Sequence, residues 1–288
     1  MAEAVGYYPG CSLKGTSLEY HLSLSKMIDA LGLSVQELED WNCCGATAAH
    51  AINQKIALAL PFRNLAIAQE MGFSEVLTPC AACFSRFAAT NKKLAQSEAL
   101  KQEMAEITQR KYRGTVKVIN LLEFIQKYAL ERIKDNIKQS LKGLRLACYY
   151  GCLLLRPPKM VCFDDPENPK SMEEIIESLG AETTDWPFRI ECCGGGFSMS
   201  RTDVVLKLSS NILENAKALG ADALVTACPM CHSNLDMRQR QIEASSGRKI
   251  GLPIFFITEL VGISLGMQPK EVGLRRHFIP ALEVLSKG

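Results

Sequence analysis

Val225-Thr226-Ala227-Cys228-Pro229-Met230-Cys231 repeats, with changes, an earlier stretch of the same chain, Leu77-Thr78-Pro79-Cys80-Ala81-Ala82-Cys83. Each begins as an apolar, β-prone segment (EVLTPC, DALVTAC) and passes through C-x-x-C into a helix-prone segment. This pattern reads as a buried strand that delivers two thiols at its carboxyl end, where a helix begins. The preceding stretches also correspond, NLAIAQEMGFSEVL in the first case and NILENAKALGADAL in the second.

Further out, each C-x-x-C is preceded by an adjacent pair, Cys43-Cys44-Gly45 and Cys192-Cys193-Gly194, and each pair by a single cysteine, Cys11 and Cys152. Between single and pair lie 31 residues in one case and 39 in the other; between pair and C-x-x-C lie 35 and 34. Flanks repeat as well, with Tyr8-Pro9-Gly10-Cys11 set against Tyr150-Gly151-Cys152. Cysteines and flanks align together, so the chain is an internal duplication. A charged, helix-prone stretch from Glu131 to Lys142 separates the copies, which places the boundary near Lys142 and the halves at 1–142 and 143–288.

Both halves open with a β-prone segment, AVGYYPGC and LRLACYYGC. Periodicity predicts helices over Leu18–Leu31 and Ser171–Leu179, ended by Gly32 and Gly180. Ser171 is expected to be the N-cap of the second, with Glu174 completing a capping box. The apolar run Gly251 to Met267 contains Pro253 and Glu259 and reads as a strand followed by a helix, not a membrane span. The expected fold class is α/β: two similar half-domains, each a small, largely parallel sheet with flanking helices. In such folds ligands gather at the carboxyl ends of strands.

The 288 residues are 47% hydrophobic and 22% charged, with a net charge of +2. That balance supports a globular core and gives no case for nucleic acid or an anionic membrane surface. The beginning, MAEAVGYYPGCSL, has neither the basic nor the apolar region of a signal peptide, so a cytoplasmic location without direct membrane insertion is expected. Twelve cysteines in a reducing compartment then point to metal ligation rather than disulfides. A closed zinc site needs four ligands, yet each half offers five. Adjacent cysteines diverge around one tetrahedral ion but can reach different irons of a cluster, so iron–sulfur is favoured, with zinc in one half left open. Gly45 and Gly194-Gly195-Gly196 would let backbone N–H groups approach the sulfurs.

The twice-given pattern of single Cys, CCG and C-x-x-C, with FDDPENP at 163–169, CCGGG at 192–196 and CPMCHSNL at 228–235, resembles the duplicated CCG domain of the heterodisulfide reductase B subunit. The resemblance implies two non-cubane [4Fe-4S] clusters. Cys11, Cys43, Cys44, Cys80 and Cys83 would hold the first; Cys152, Cys192, Cys193, Cys228 and Cys231 the second. It implies a small disulfide of the CoB-S-S-CoM type bound between them and cleaved to two thiols, each cluster taking one sulfur. It also implies electrons from the ferredoxin-like C subunit, fed by the flavoprotein A subunit, since the chain carries no flavin site or compact ferredoxin cysteine run of its own. Leu153 departs from the histidine of methanogen members, which leaves the identity of the disulfide open. The alternative is an electron-transfer CCG subunit of another dehydrogenase complex, with no disulfide substrate.

Other residues carry less. Cys148 and Cys162 lack counterparts and read as small buried hydrophobes. His232 follows a motif cysteine and reads as a local contact sooner than a proton shuttle. His21, His50 and His277 have no motif around them. Trp41 and Trp186 are expected to shield the cysteines. Lys14, Arg63, Arg86, Arg156 and Arg201 lie near the motifs and are either substrate-binding or solvated charges.

Overall fold

The computed structural model describes residues 4–46 and 49–286, the side chain of His50 excepted. It contains two four-stranded sheets, ordered β2-β1-β3-β4 and β6-β5-β7-β8, in which every pairing is parallel. The strands are β1 (Val5–Tyr7), β2 (Val35–Glu37), β3 (Glu75–Leu77) and β4 (Lys117–Ile119), then β5 (Arg145–Tyr149), β6 (Glu182–Thr183), β7 (Ala223–Thr226) and β8 (Ile254–Phe256). The α/β expectation holds, duplication included. The central strands β1, β3, β5 and β7 are almost wholly buried, which is why they read as continuous apolar runs.

The helices that matter for the site are α1 (Leu18–Ala30), α2 (Gln54–Glu70), α3 (Ala81–Gln96), α4 (Ser171–Ser178), α5 (Thr202–Ala218), α6 (Pro229–Met237) and α7 (Ile257–Ser264). α1 and α4 end where the sequence places Gly32 and Gly180. The start of α4 differs from expectation. Lys170 is its N-cap, and the carboxylate of Asp164, in the FDDPENP stretch, accepts from Lys170 N at 3.0 Å and Ser171 N at 2.9 Å. A carboxylate reached from a preceding turn displaces the local serine because it takes two donors at once and complements the helix dipole. Ser171 Oγ is left buried without a partner among the described residues.

In both sheets the strand order changes direction between its two central strands: β1 and β3 in one, β5 and β7 in the other. Loops leaving neighbouring strands in opposite directions open a crevice at their carboxyl ends. Cys11 follows β1 and Cys80 follows β3; Cys152 follows β5 and Cys228 follows β7. The fold thus brings together, at each crevice, cysteines that are far apart in sequence.

The halves interlock reciprocally. α1 of the first packs on α7, the helix leaving the last strand of the second; α4 packs on residues 121–129, which leave the last strand of the first. Across the former contact Tyr20 stacks on Phe256 with centroids 4.0 Å apart, and the buried hydroxyls of Ser23 and Thr258 meet at 2.7 Å. Removing one hydroxyl strands the other in a dry interface, at a cost of about 1–3 kcal/mol, whereas replacing both costs little. Ser23→Ala and Thr258→Val should each lower the urea midpoint, and the double variant should lose clearly less than the sum of the two. Additive losses would show that the pair does not act as a unit.

Candidate active site at the seam between the halves

Each cysteine set is built on one tyrosine. Tyr8, just past β1, is buried and donates to the carbonyl of Asn42, the residue before Cys43, at 2.9 Å. Tyr149, ending β5, donates to the carbonyl of Glu191, the residue before Cys192, at 2.7 Å. The two rings therefore hold the Cys-Cys loops against the central strands. Both hydroxyls are pushed far above the ordinary phenol range, by burial first and then by four cysteines of their own set. The structural counterpart of Tyr8 is thus Tyr149, not the Tyr150 suggested by the flanking sequence. Tyr150 instead hydrogen-bonds Glu173 and accepts from Met172 N. Trp41 and Trp186 pack against these tyrosines, at 5.5 and 6.2 Å between centroids, so the indoles support the tyrosines that the sulfurs rest on.

Within each set the buried thiols touch. Cys44 and Cys83 have sulfurs 2.9 Å apart, and Cys193 and Cys231 3.6 Å. Cys11, Cys43 and Cys192 are exposed and Cys152 is half-buried, so each set has a dry floor and a rim open to solvent. Gly10 and Gly151 line this floor with positive φ, +67° and +66°. A Cβ on Gly151 would come within 3.0 Å of Cys231 Sγ, so close packing on that sulfur favours glycine at 151, while the left-handed backbone favours it at both positions.

The two sets also touch each other. Cys80 and Cys228, from different halves, lie near enough across the seam for each to shift the other's ionisation. The hydroxyl of Tyr20 lies 3.1 Å from the carbonyl of Ala227 and 3.4 Å from that of Pro79, the residues before those two cysteines. A cavity of about 60 Å³ opens beside them, lined by Ala81 and Ala82 of the first half and by the second half's cysteines, Leu153, Gly195, Gly196 and Met230. Leu153, where the family resemblance breaks, faces this cavity and is 40% exposed. A larger open depression of about 550 Å³, around Glu214 and Arg248, contains no cysteine.

Thiols in contact cannot all ionise, and the set divides accordingly. Cys44 is held well below the usual thiol range by hydrogen bonds from Cys43 and Cys83, with the Arg86 guanidinium adding to this. Cys43 and Cys83 are pushed up, chiefly by hydrogen bonding to Cys44. Across the seam Cys228 is held down by Cys231 and Cys80, and both of those are raised. Cys192 is lowered to about 6 by a hydrogen bond from Cys152, helped by the N–H groups of Gly194 and Gly195. Gly45 N and Gly194 N lie 3.4 and 3.3 Å from the sulfurs of Cys43 and Cys192.

Among the described residues no three His, Cys, Asp or Glu side chains are arranged to hold a single metal ion. The donor set is soft thiol, with backbone N–H groups aimed at sulfur, and its chemistry fits a thiolate-ligated iron–sulfur cluster.

Cys148 is fully buried on β5. Cys162 is exposed, in left-handed backbone after a short turn, so the buried-hydrophobe reading fails there; the chain leaves the sheet before it. His232 is buried, hydrogen-bonded to the Ile254 carbonyl and stacked on Phe256, and burial holds its pKa well down; its contacts are local. His277, which no motif marks, pairs with Glu259 at 2.8 Å, both fully buried. His50's side chain lies outside the described residues.

The lowered Cys192 has a direct readout in metal-free protein. Thiolate, not thiol, reacts with iodoacetamide, so labelling at Cys192 should rise through about pH 6 and be nearly maximal at pH 7. Cys152→Ala removes the main stabilising hydrogen bond and should move that midpoint upward. Peptide mapping that finds Cys192 no faster than exposed Cys162 at pH 7 would contradict the arrangement.

The sequence profile of the CCG cysteine-rich domain matches residues 5–88 and again 146–236. The 8-methylmenaquinol:fumarate reductase membrane anchor subunit of Wolinella succinogenes is 31% identical over 287 residues, 99% of this chain and 100% of that protein. The B subunit of the ferredoxin:CoB-CoM heterodisulfide reductase of Methanosarcina mazei is 29% identical over 288 residues, 97% of this chain and 92% of its own. The glycolate oxidase iron-sulfur subunit of Escherichia coli is 24% identical, covering 83% of this chain and 53% of that one. Among solved structures, a hypothetical protein from Helicobacter pylori superposes with a TM-score of 0.79 at 12% identity over 98% of this chain; the likeness is one of fold, and this chain spans about half of that one, 53%. Matched by the domain in both halves and by relatives over nearly its whole length, the chain belongs to the CCG cysteine-rich domain family, in the duplicated form seen in the B subunit of heterodisulfide reductase.

Proposed function

We propose that this chain is the catalytic, disulfide-reducing subunit of a heterodisulfide-reductase-like complex, working in the cytoplasm. Its relatives are subunits of oxidoreductases, and with the CCG domain in both halves they make this chain an oxidoreductase subunit with iron–sulfur clusters and partner subunits. Disulfide reduction is supported by a single observation, the Tyr20 hydroxyl that joins the carbonyls just before Cys80 and Cys228 and so holds the two cysteine sets together at the seam.

On this reading the halves divide at Lys142. Cys11, Cys43, Cys44, Cys80 and Cys83 hold one [4Fe-4S] cluster of non-cubane type, and Cys152, Cys192, Cys193, Cys228 and Cys231 the other. When bound, the clusters supply one-electron chemistry at sulfur. Reducing a disulfide takes two electrons and two protons and yields two thiols, so a duplicated site at one seam matches the stoichiometry. The electrons come from partners, a ferredoxin-like C subunit and a flavoprotein A subunit.

The protein's own groups do the rest. Tyr8 and Tyr149 fix the Cys-Cys loops, and Tyr20 ties the two C-x-x-C segments together. Leu153, Met230, Ala81 and Ala82 give the substrate's sulfurs an apolar wall. Water is kept off the floor, which strengthens every charge interaction there.

A second reading is favoured by the fumarate reductase relative: an electron-transfer subunit without a disulfide substrate. That relative is named a membrane anchor, while among the described residues here no helix is long and apolar enough to cross a membrane.

Metal analysis of anaerobically purified protein separates the readings. About eight irons and eight acid-labile sulfides per chain are expected, with a thiol-dependent change in the cluster EPR signal. With a reduced viologen as one-electron donor, Cys43→Ser with Cys192→Ser should abolish disulfide turnover. About four irons with one zinc, or full turnover by the double variant, would remove the disulfide mechanism and leave the electron-transfer reading.

A further inference from the structure

Five cations lie near the cysteine motifs, and four are neutralised by the chain itself. Lys14 pairs with Glu37, Arg63 with Asp40, Arg156 with Glu167 and Arg201 with Asp203. Arg86 is the exception. Half-buried, one helical turn beyond Cys83 on α3, its guanidinium makes no hydrogen bond or ion pair among the described residues. It lines a cavity of about 150 Å³ between the start of α2 and the outer face of α3, together with Gln54, Thr90 and Lys93. Arg86 and Lys93 are seven residues apart and share a helix face.

The second half shows what this position does when it is closed. The counterpart of Arg86, three residues after Cys231, is Asn234. It is buried, donates to the Cys193 carbonyl at 3.1 Å and accepts from Ser198 at 2.8 Å. Arg238, one turn further on, donates to the Ser198 carbonyl at 3.2 Å. There the chain's own polar groups satisfy one another beside the buried member of the Cys-Cys pair. The first half keeps an unpaired guanidinium, a lysine and an open cavity instead.

We propose that this cavity is a subsite for a compact oxyanion (phosphate, sulfonate or carboxylate) carried by the small disulfide or thiol, an inference that rests on the function proposed above. The side-chain groups offered are suited to an anion. Arg86 supplies a planar fork that binds an oxyanion bidentately, and Lys93 adds a point charge at the exposed mouth. Gln54 adds an amide donor. A water needs only about 10–15 Å³ of such space, so the cavity admits a group of several heavy atoms. A substrate anchored here by its acidic end has its sulfur directed toward the first cysteine set, since Arg86 follows Cys83 by one turn of α3.

The test is calorimetric titration of inorganic phosphate into the anaerobically purified full chain at low ionic strength. Saturable binding is expected, weakened about tenfold or more by Arg86→Gln and two- to threefold by Lys93→Gln (roughly the worth of a bidentate and of an exposed contact). Lys93 is exposed, so its variant folds whatever happens to Arg86→Gln. Unchanged affinity in both variants, or no saturable binding to the wild type, overturns the subsite. Phosphate should also compete with dithiodipropionate, a dicarboxylate disulfide, and not with neutral dithiodiethanol. Phosphate binding that competes with neither overturns its assignment to the substrate. Phosphate binding lost in the variants while the wild type, supplied with a reduced viologen as one-electron donor, turns over no disulfide would uphold the anion site and sink the function reading, so the two fail separately.

Discussion

Ten thiols must be packed side by side at the seam of two sheets, and most other features follow from that crowding. Sulfurs at 2.9 to 3.6 Å share protons rather than ionise together. The division is regular: Cys44, Cys192 and Cys228 are held down, and the cysteines that touch them are raised. Each lowered thiol is served by backbone N–H groups as well as by a neighbouring thiol. The glycines after the Cys-Cys pairs, the strand ends and the helix starts are the means by which a chain of ordinary composition supplies those donors. The topology answers the same demand, because only where the strand order reverses do two loops diverge and leave room for a set of thiols.

Much of this was legible in the sequence. EVLTPC and DALVTAC are short, but every one of their features (apolar run, cysteines at the end, helix-prone continuation) is local, and the duplication let each half confirm the other. Helix ends at Gly32 and Gly180 were local too. What escaped reading depends on contacts between distant residues. Tyr8 and Tyr149 are visible in YYPGC and YYGC, yet their role appears only when Asn42 and Glu191 come within reach. The cap on α4 comes from Asp164, outside the window that a capping box inspects. His277 carries no motif and is placed by its pairing with Glu259 and by the rings of His232 and Phe255. Cys162 looked like Cys148 in sequence, but one lies on a central strand and the other after the chain has left it.

The two halves are similar in framework and different in detail. The interlocking of α1 with α7, and of α4 with residues 121–129, joins them through reciprocal contacts. Within that symmetry the second half closes its Cys-Cys loop with Asn234, Ser198 and Arg238, whereas the first half leaves the same region open. Duplication followed by divergence of a few side chains is enough to give two like sites unlike surroundings.

The far end of the chain has a part in this as well. Asp236, near the end of the helix that begins at Cys228, accepts the backbone N–H groups of Phe278 and Ile279 at 2.7 and 3.0 Å, next to the His277–Glu259 pair. The consequence is one of timing. During synthesis the first cysteine set is complete once Cys83 has been made, but the helix under the second is not clamped until residues 277–279 follow. The second set thus depends on residues well beyond its last cysteine, Cys231.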